Sequence, residues 1–312
     1  MDIVLARRLT LTSFSPQGMI QNLIAKGPLT KPLLIHNRTP ARSEALVAKL
    51  GSTKLSISSS VEDLVSKSDI ILTCLGDDPA VLDNYQRATS QVDVKGKLFI
   101  DCSTVHPKTT NSLDELVRSK GARFIASPVF GAPAAADAGH LVFVLASNDA
   151  SAIDTFLPYI KGIMGRSVIR LDGKPPGTAT LLKLSGNHFI LAMVLVISES
   201  LVLASKSGLG KDAILAFLQE FFPGPYVKYA ERMIAGDYIR EEPLFQVDLA
   251  LKDARHAMNL AKEQGIQLGV LEEAERQLLT VKKECGEKGD LAGIYGAKRV
   301  QSGLPYKEEQ LD

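Results

Sequence analysis

Lys183 and Asn187 are four residues apart in GTATLLKLSGN, which runs from Gly177 to Asn187. In a helix that spacing puts both side chains on one face. The same face continues through Thr180, Leu184, Leu191 and Val194 and is mostly apolar. An ammonium among apolar neighbours is unfavourable unless it is paired or put to use. Desolvation favours the neutral amine, which fits such a lysine to give and take a proton. Asn187 is placed to orient a hydroxyl or a carbonyl. The plainer reading is a lysine whose stem covers apolar surface while its head reaches water.

Other stretches carry groups suited to the same chemistry. DCSTVHP, Asp101 to Pro107, places Ser103 and Thr104 just after an apolar run. Open α/β folds bind ligands at that edge of a parallel sheet, although the hydroxyls could equally cap the helix after Pro107. SPVFGAPAAADAGHL, Ser127 to Leu141, has little side-chain bulk, so its backbone can come close to a ligand. Asn37, Arg38 and Thr39 close the run PLLIHNRT. A dinucleotide fold reads the ribose at that place, with a carboxylate for the 2′-hydroxyl or an arginine for a 2′-phosphate. Here there is no carboxylate, and Arg38 can donate in bidentate fashion; helix capping by the same residues is the alternative. Lys252 and Asp253 are adjacent in LFQVDLALKDARHAMNLA, a pattern usual for a solvated helix face. His36, His106, His140, His188 and His256 lack metal-ligand spacing, and no metal is expected. Cys74, Cys102 and Cys285 form neither a disulfide framework nor a CxxC site.

The elements that would position these groups follow from periodicity. Short, often β-branched apolar runs at 32–37, 69–75, 97–103, 123–129, 141–147 and 167–173 read as buried strands. Between them, Pro40 opens a helix that Gly51 stops, Ser60 precedes VEDLVSKS, and Pro107 opens a helix closed by Gly121. Strands alternating with helices predict right-handed βαβ units and a mostly parallel sheet. After the turn cluster GKPPGT the pattern changes. Gly177 to about Ser207 reads as one helix of about 30 residues, some 45 Å long. Helical patterns follow at 211–222, 227–234, 245–264 and 271–283. The expected architecture is a Rossmann-like α/β domain over residues 1–172, then a long connecting helix and an all-α domain over 173–312.

Composition narrows the function. With 36 Lys+Arg against 35 Asp+Glu in 312 residues, the net charge is +1, which argues against nucleic acid as a partner. No uninterrupted apolar run spans a membrane, the nearest being 189–203, broken by Ser198, Glu199 and Ser200. Sparse cysteines fit a reducing, cytoplasmic setting. Arg7, Arg8 and the hydroxyl residues of the first segment leave a mitochondrial address open.

Taken in order, these stretches resemble the β-hydroxyacid dehydrogenase family over about residues 18–300. The family pattern GxGxMGxxMAxNL finds its second half in Met19, Asn22 and Leu23. Its strand-end NRT matches Asn37, Arg38 and Thr39, which implies NADP rather than NAD. Its LP pair at the cofactor site corresponds to Leu75 and Gly76. Its DxST matches Asp101, Ser103 and Thr104, with Thr104 implied beside the nicotinamide and Ser103 at the substrate. Its PVSGGxxGAxxGTL substrate loop corresponds to Pro128–Leu141, with Phe130, Gly131 and Ala132 at the substrate. Its GxxxxxKxxxN matches Gly177, Lys183 and Asn187 and makes Lys183 the catalytic lysine. Its KD pair matches Lys252 and Asp253, with Lys252 implied near the cofactor. The family's helical domain usually pairs with a second subunit, so a homodimer is expected.

Two departures stand out. The three fingerprint glycines, which let the backbone approach a pyrophosphate, fall on Leu11, Ser13 and Pro16. This predicts either weakened cofactor binding or a non-native segment 1–17. Phe130 replaces the serine of SGG and Ala132 the second glycine. Phe130 cannot hydrogen-bond a carboxylate, which predicts a bulkier or less polar substrate. The implied function is reversible hydride transfer between NADP(H) and a β-hydroxyacid-like alcohol or its carbonyl, with Lys183 as general acid and base. Reduction of other C=O or C=N bonds and a catalytically inactive scaffold role are the alternatives.

Overall fold

The computed structural model describes residues 5–9 and 15–308, with side chains from Gln17 onward. These residues divide into two compact units, one ending at Lys183 and the other beginning at Leu184.

The first unit opens with β1 (Leu5–Leu9), α1 (Ser15–Lys26), β2 (Leu33–His36), α2 (Pro40–Leu50), β3 (Leu55–Ile57), α3 (Val61–Ser66), β4 (Ile70–Cys74), α4 (Asp78–Ser90), β5 (Leu98–Asp101), α5 (Pro107–Ser119) and β6 (Arg123–Ala126). The six strands form one sheet in the order β3-β2-β1-β4-β5-β6, and every pairing is parallel. This is the doubly wound dinucleotide-binding order, whose switch point lies between β1 and β4. Both faces are buried. Along β4, Ile70 and Leu72 join one core cluster and Ile71 the other; along β5, Leu98 and Ile100 part from Phe99 in the same way. That alternation is the two-residue period of a strand covered on both sides. Met19, Ile20 and Leu23 of α1 cover one face, and Tyr85 of α4 with Leu113 and Val117 of α5 cover the other.

A second, three-stranded sheet continues the unit: β7 (Val129–Phe130), α6 (Pro133–Asp137), β8 (Leu141–Leu145), α7 (Ala150–Phe156) and β9 (Gly165–Arg170). β7 runs antiparallel to β8, and β9 runs parallel to it. The apolar run expected at 123–129 is thus two strands, β6 and β7, split at Ser127–Pro128. A proline has no N–H for a ladder.

α8 covers Gly177–Ser207, as the absence of strong breakers predicts. Its first turn belongs to the α/β unit. The Gly177 N–H donates to Asn111 Oδ1 at 2.8 Å, Thr180 and Thr110 hydroxyls lie 3.1 Å apart, and Ala179 is fully buried in the core beneath α5. These contacts place the division between the units inside the helix, several residues past the change in composition near 173.

The second unit contains the rest of α8, then α9 (Lys211–Phe221), α10 (Pro225–Ile234), α11 (Val247–Glu263), α12 (Gly269–Cys285) and α13 (Ile294–Gln301). Leu191, Val194, Ile197 and Leu201 of α8 anchor one core with Ala250 and Ala254 of α11 and Leu278 and Val281 of α12. By length and composition α8 could cross a membrane, but half of its most apolar 18-residue window is buried in the protein.

Candidate functional site

Three strand ends meet at the carboxyl edge of the large sheet. After β2, Asn37 is buried. Its Oδ1 accepts the Thr39 N–H at 2.8 Å, while its Nδ2 is buried with no hydrogen-bond partner among the described residues. Arg38 and Thr39 follow, both exposed. Thr39 sits at the N-cap of α2 without a side-chain capping bond. A buried, unpaired amide beside an exposed guanidinium fits a ligand that offers acceptors, such as a phosphorylated ribose.

After β4 and β5 the hydroxyls are used internally. Ser103 Oγ donates to Asp101 Oδ1 at 2.6 Å and accepts the Leu75 N–H at 2.9 Å. It is buried and ties the two strand ends together, shaping the turn that presents Leu75 and Gly76. Thr73 Oγ1 donates to the same Asp101 oxygen at 2.9 Å and takes a hydrogen bond from the Tyr85 hydroxyl at 2.8 Å. Asp101 Oδ2 is buried with no hydrogen bond among the described residues. Burial therefore pushes the Asp101 carboxyl up to about 6, against the pull of the hydrogen bonds from Ser103 and Thr73. Thr104, next along, is half-buried.

The small-residue stretch is held from below by α1. Asn22 Nδ2 lies 2.9 Å from each of the carbonyls of Gly18, Ala136 and Asp137. Gly18 lies inside α1; a Cβ there would come within 2.5 Å of the Ala136 backbone. Gly131 and Ala132 are exposed at the start of the stretch. Leu11 and Ser13, which stand at two fingerprint glycine positions, lie outside the described residues; Pro16 falls in α1, described there by its backbone alone.

Lys183 closes the α/β unit, and its Nζ lies 4.4 Å from the centroid of the Phe130 ring. Asn187, four residues on along α8, is buried in the helical unit. Its Nδ2 donates to Asp253 Oδ2 at 2.6 Å, and Lys252 Nζ reaches Asp253 Oδ1 at 3.2 Å. The adjacent charges of α11 are thus no solvated face: Asp253 is 4% and Lys252 19% exposed. Asp253 also fixes the Asn187 amide, since an acceptor on one side leaves the carbonyl oxygen to point the other way. The sequence singled out Asn22 and Asp253 as motif matches but did not pair Asp253 with Asn187 or Asn22 with the Ala136 and Asp137 carbonyls. Among the described residues no group of three or more His, Cys, Asp or Glu is placed to hold a metal.

A six-stranded doubly wound sheet in one unit, followed along the chain by an all-helical unit, is an architecture suited to a nicotinamide-dependent oxidoreductase. The profile of the NAD binding domain of 6-phosphogluconate dehydrogenase matches residues 17–171. The profile for NAD-binding of NADP-dependent 3-hydroxyisobutyrate dehydrogenase matches residues 177–297. An NADH-dependent oxidoreductase of Aspergillus ustus is 35% identical over 93% of this chain and 97% of its own. A glyoxylate/succinic semialdehyde reductase of Arabidopsis thaliana is 28% identical over 81% and 84%. A 3-hydroxyisobutyrate dehydrogenase of Mycobacterium tuberculosis, solved with L-serine, shares the fold at a TM-score of 0.77 and 21% identity, over 95% of this chain and 99% of its own. The chain belongs to the β-hydroxyacid dehydrogenase family and is an NAD(P)-dependent oxidoreductase acting on CH–OH groups and their carbonyls.

Proposed function

We propose that the protein is an NADPH-linked reductase and dehydrogenase whose acid–base group is Lys183, acting on a β-hydroxyacid-like alcohol or its carbonyl. The observation that carries this reading is α8 itself. It bears an ammonium lying against an aromatic ring and, one turn on, an amide clamped by a buried carboxylate. In reduction Lys183 gives a proton to the carbonyl oxygen, and in oxidation it takes that proton back. Asn187, clamped by Asp253, orients the reacting oxygen. The nicotinamide cofactor, when bound, supplies or accepts the hydride. Asn37, Arg38 and Thr39 hold its adenosine end, and Leu75, Gly76, Thr104 and Lys252 hold the rest. Gly131 and Ala132 offer backbone N–H groups to the substrate. Ser103 serves this site by position, through Leu75 and Asp101.

The preference for NADPH rests on Arg38 and on the unpaired Asn37 amide, with no carboxylate at this strand end. The name of the Aspergillus relative, NADH-dependent, sets the opposing outcome. Titration of each cofactor, followed by calorimetry, decides between them. Wild type is expected to bind NADPH about tenfold or more tightly than NADH, and Arg38→Ala to erase the difference. Equal affinities in wild type contradict the assignment.

Phe189, Val196 and Leu203 stand 74%, 52% and 68% exposed at seven-residue spacing on α8. One apolar stripe of this kind suits the pairing of two helices, and we assign it to a homodimer. A light-scattering mass of a single chain would contradict that assignment.

A further inference from the structure

Phe130 ends β7, where it pairs with Val142 of β8. Its side chain packs on the core cluster that contains Val144, Ala146 and Ala179. Gly131 follows at φ +143°, and a Cβ at that residue would come within 2.6 Å of Leu141 Cδ2. The ring is therefore carried by a strand end with a fixed exit. The face it presents is the one on which Lys183 Nζ rests, 4.4 Å from the centroid. A phenyl face is electronegative, so it attracts an ammonium and repels a carboxylate. It also has no hydrogen-bond donor. Leu171 and Leu182 pack on the same cluster as the Phe130 ring.

We propose that Phe130 is a positioning and specificity-determining residue: its ring face holds the Lys183 ammonium in place and selects carbonyl substrates with an apolar group beside the reacting carbon over those with a carboxylate there. This rests on the reading of Lys183 as the acid–base group. The ring exchanges no atom or electron. The proton passes from Nζ to the carbonyl oxygen and the hydride comes from NADPH, so the product is the alcohol.

The test uses the whole protein, NADPH and two aldehydes that differ at the neighbouring group, benzaldehyde and glyoxylate. Wild type is expected to favour benzaldehyde by about tenfold or more in kcat/KM. Phe130→Tyr keeps the ring face and should keep kcat. Phe130→Leu keeps much of the bulk without the ring, and its kcat should fall about threefold to thirtyfold with a smaller change in KM. Phe130→Ser should shift preference toward glyoxylate. An NMR measurement on isotope-labelled dimethyllysine gives a readout independent of turnover. The Lys183 signal, identified by its loss in Lys183→Arg, should be displaced by the ring current in wild type and Phe130→Tyr, and not in Phe130→Leu. A wild-type preference for glyoxylate, or a Phe130→Leu enzyme that matches wild type in kcat, overturns the proposal. If neither aldehyde turns over, the NMR displacement decides, and its absence overturns the proposal. Lys183→Ala separates the two ideas. Full turnover in that variant sinks the acid–base reading, whereas a dead Lys183→Ala beside an unaffected Phe130→Leu sinks only the role of the ring.

Discussion

Asp101 shows how a single buried residue shapes this molecule. Its carboxyl titrates at about 6 in the folded chain against an ordinary value of 3.8, because burial outweighs the hydrogen bonds from Ser103 and Thr73. Between those two values the unfolded chain has lost a proton that the folded chain keeps. Stability therefore falls as pH rises through the window from about 4 to 6, by about 3 kcal/mol, and this contribution is flat above it. Asp101→Asn removes the titrating group and should remove that part of the slope, as read from urea unfolding at several pH values. A variant with the same slope as wild type would show that Asp101 does not titrate there. The residue scale is also where the sequence was least legible. Lys183 stood out because its own helix face is apolar. Its ring partner comes from another element, about which periodicity along one helix says nothing. Asp253 was hidden by Lys252 beside it: opposite charges in sequence suggest solvent, and only the position of Asn187 shows that this carboxylate is buried.

At the scale of elements, the contact of α1 with α6 positions the small-residue stretch to which we assign the substrate. Asn22 bridges the two helices through Gly18, Ala136 and Asp137, and Gly18 lets the backbones close to a distance that any side chain would block. Asn22→Ala leaves these carbonyls without their donor and should lower unfolding stability by about 1–3 kcal/mol, with a raised KM as the stretch between Gly131 and Gly139 loosens. Wild-type stability in urea would contradict this role. Elements with strong local signals were legible: α8 begins and ends at the residues its breakers mark, and the strands at 33–36, 70–74 and 98–101 fall inside the apolar runs. β1 was not. Arg7 and Arg8 interrupt its apolar pattern, and only parallel pairing with β2 and β4 identifies it as the central strand. α4 falls in one of the stretches between the apolar runs; Pro79 sits in its first turn, and Asp77 caps it through the Ala80 N–H at 2.8 Å.

At the scale of the whole molecule, the order of motifs was enough to place the chain in its family, because most of the motifs sit at strand ends or on α8, where the fold dictates residue type. The substrate was not legible in the same way, since it depends on side chains such as Phe130 that the fold leaves open to change. The proton transfer we assign to Lys183 underlies the proposed reaction. Its most direct test compares Lys183→Ala with wild type, measuring turnover of the best carbonyl substrate together with the NADPH dissociation constant. In Lys183→Ala, kcat should fall by about 10²–10⁴ with NADPH affinity kept within about threefold. A variant that turns over within about tenfold of wild type would contradict it.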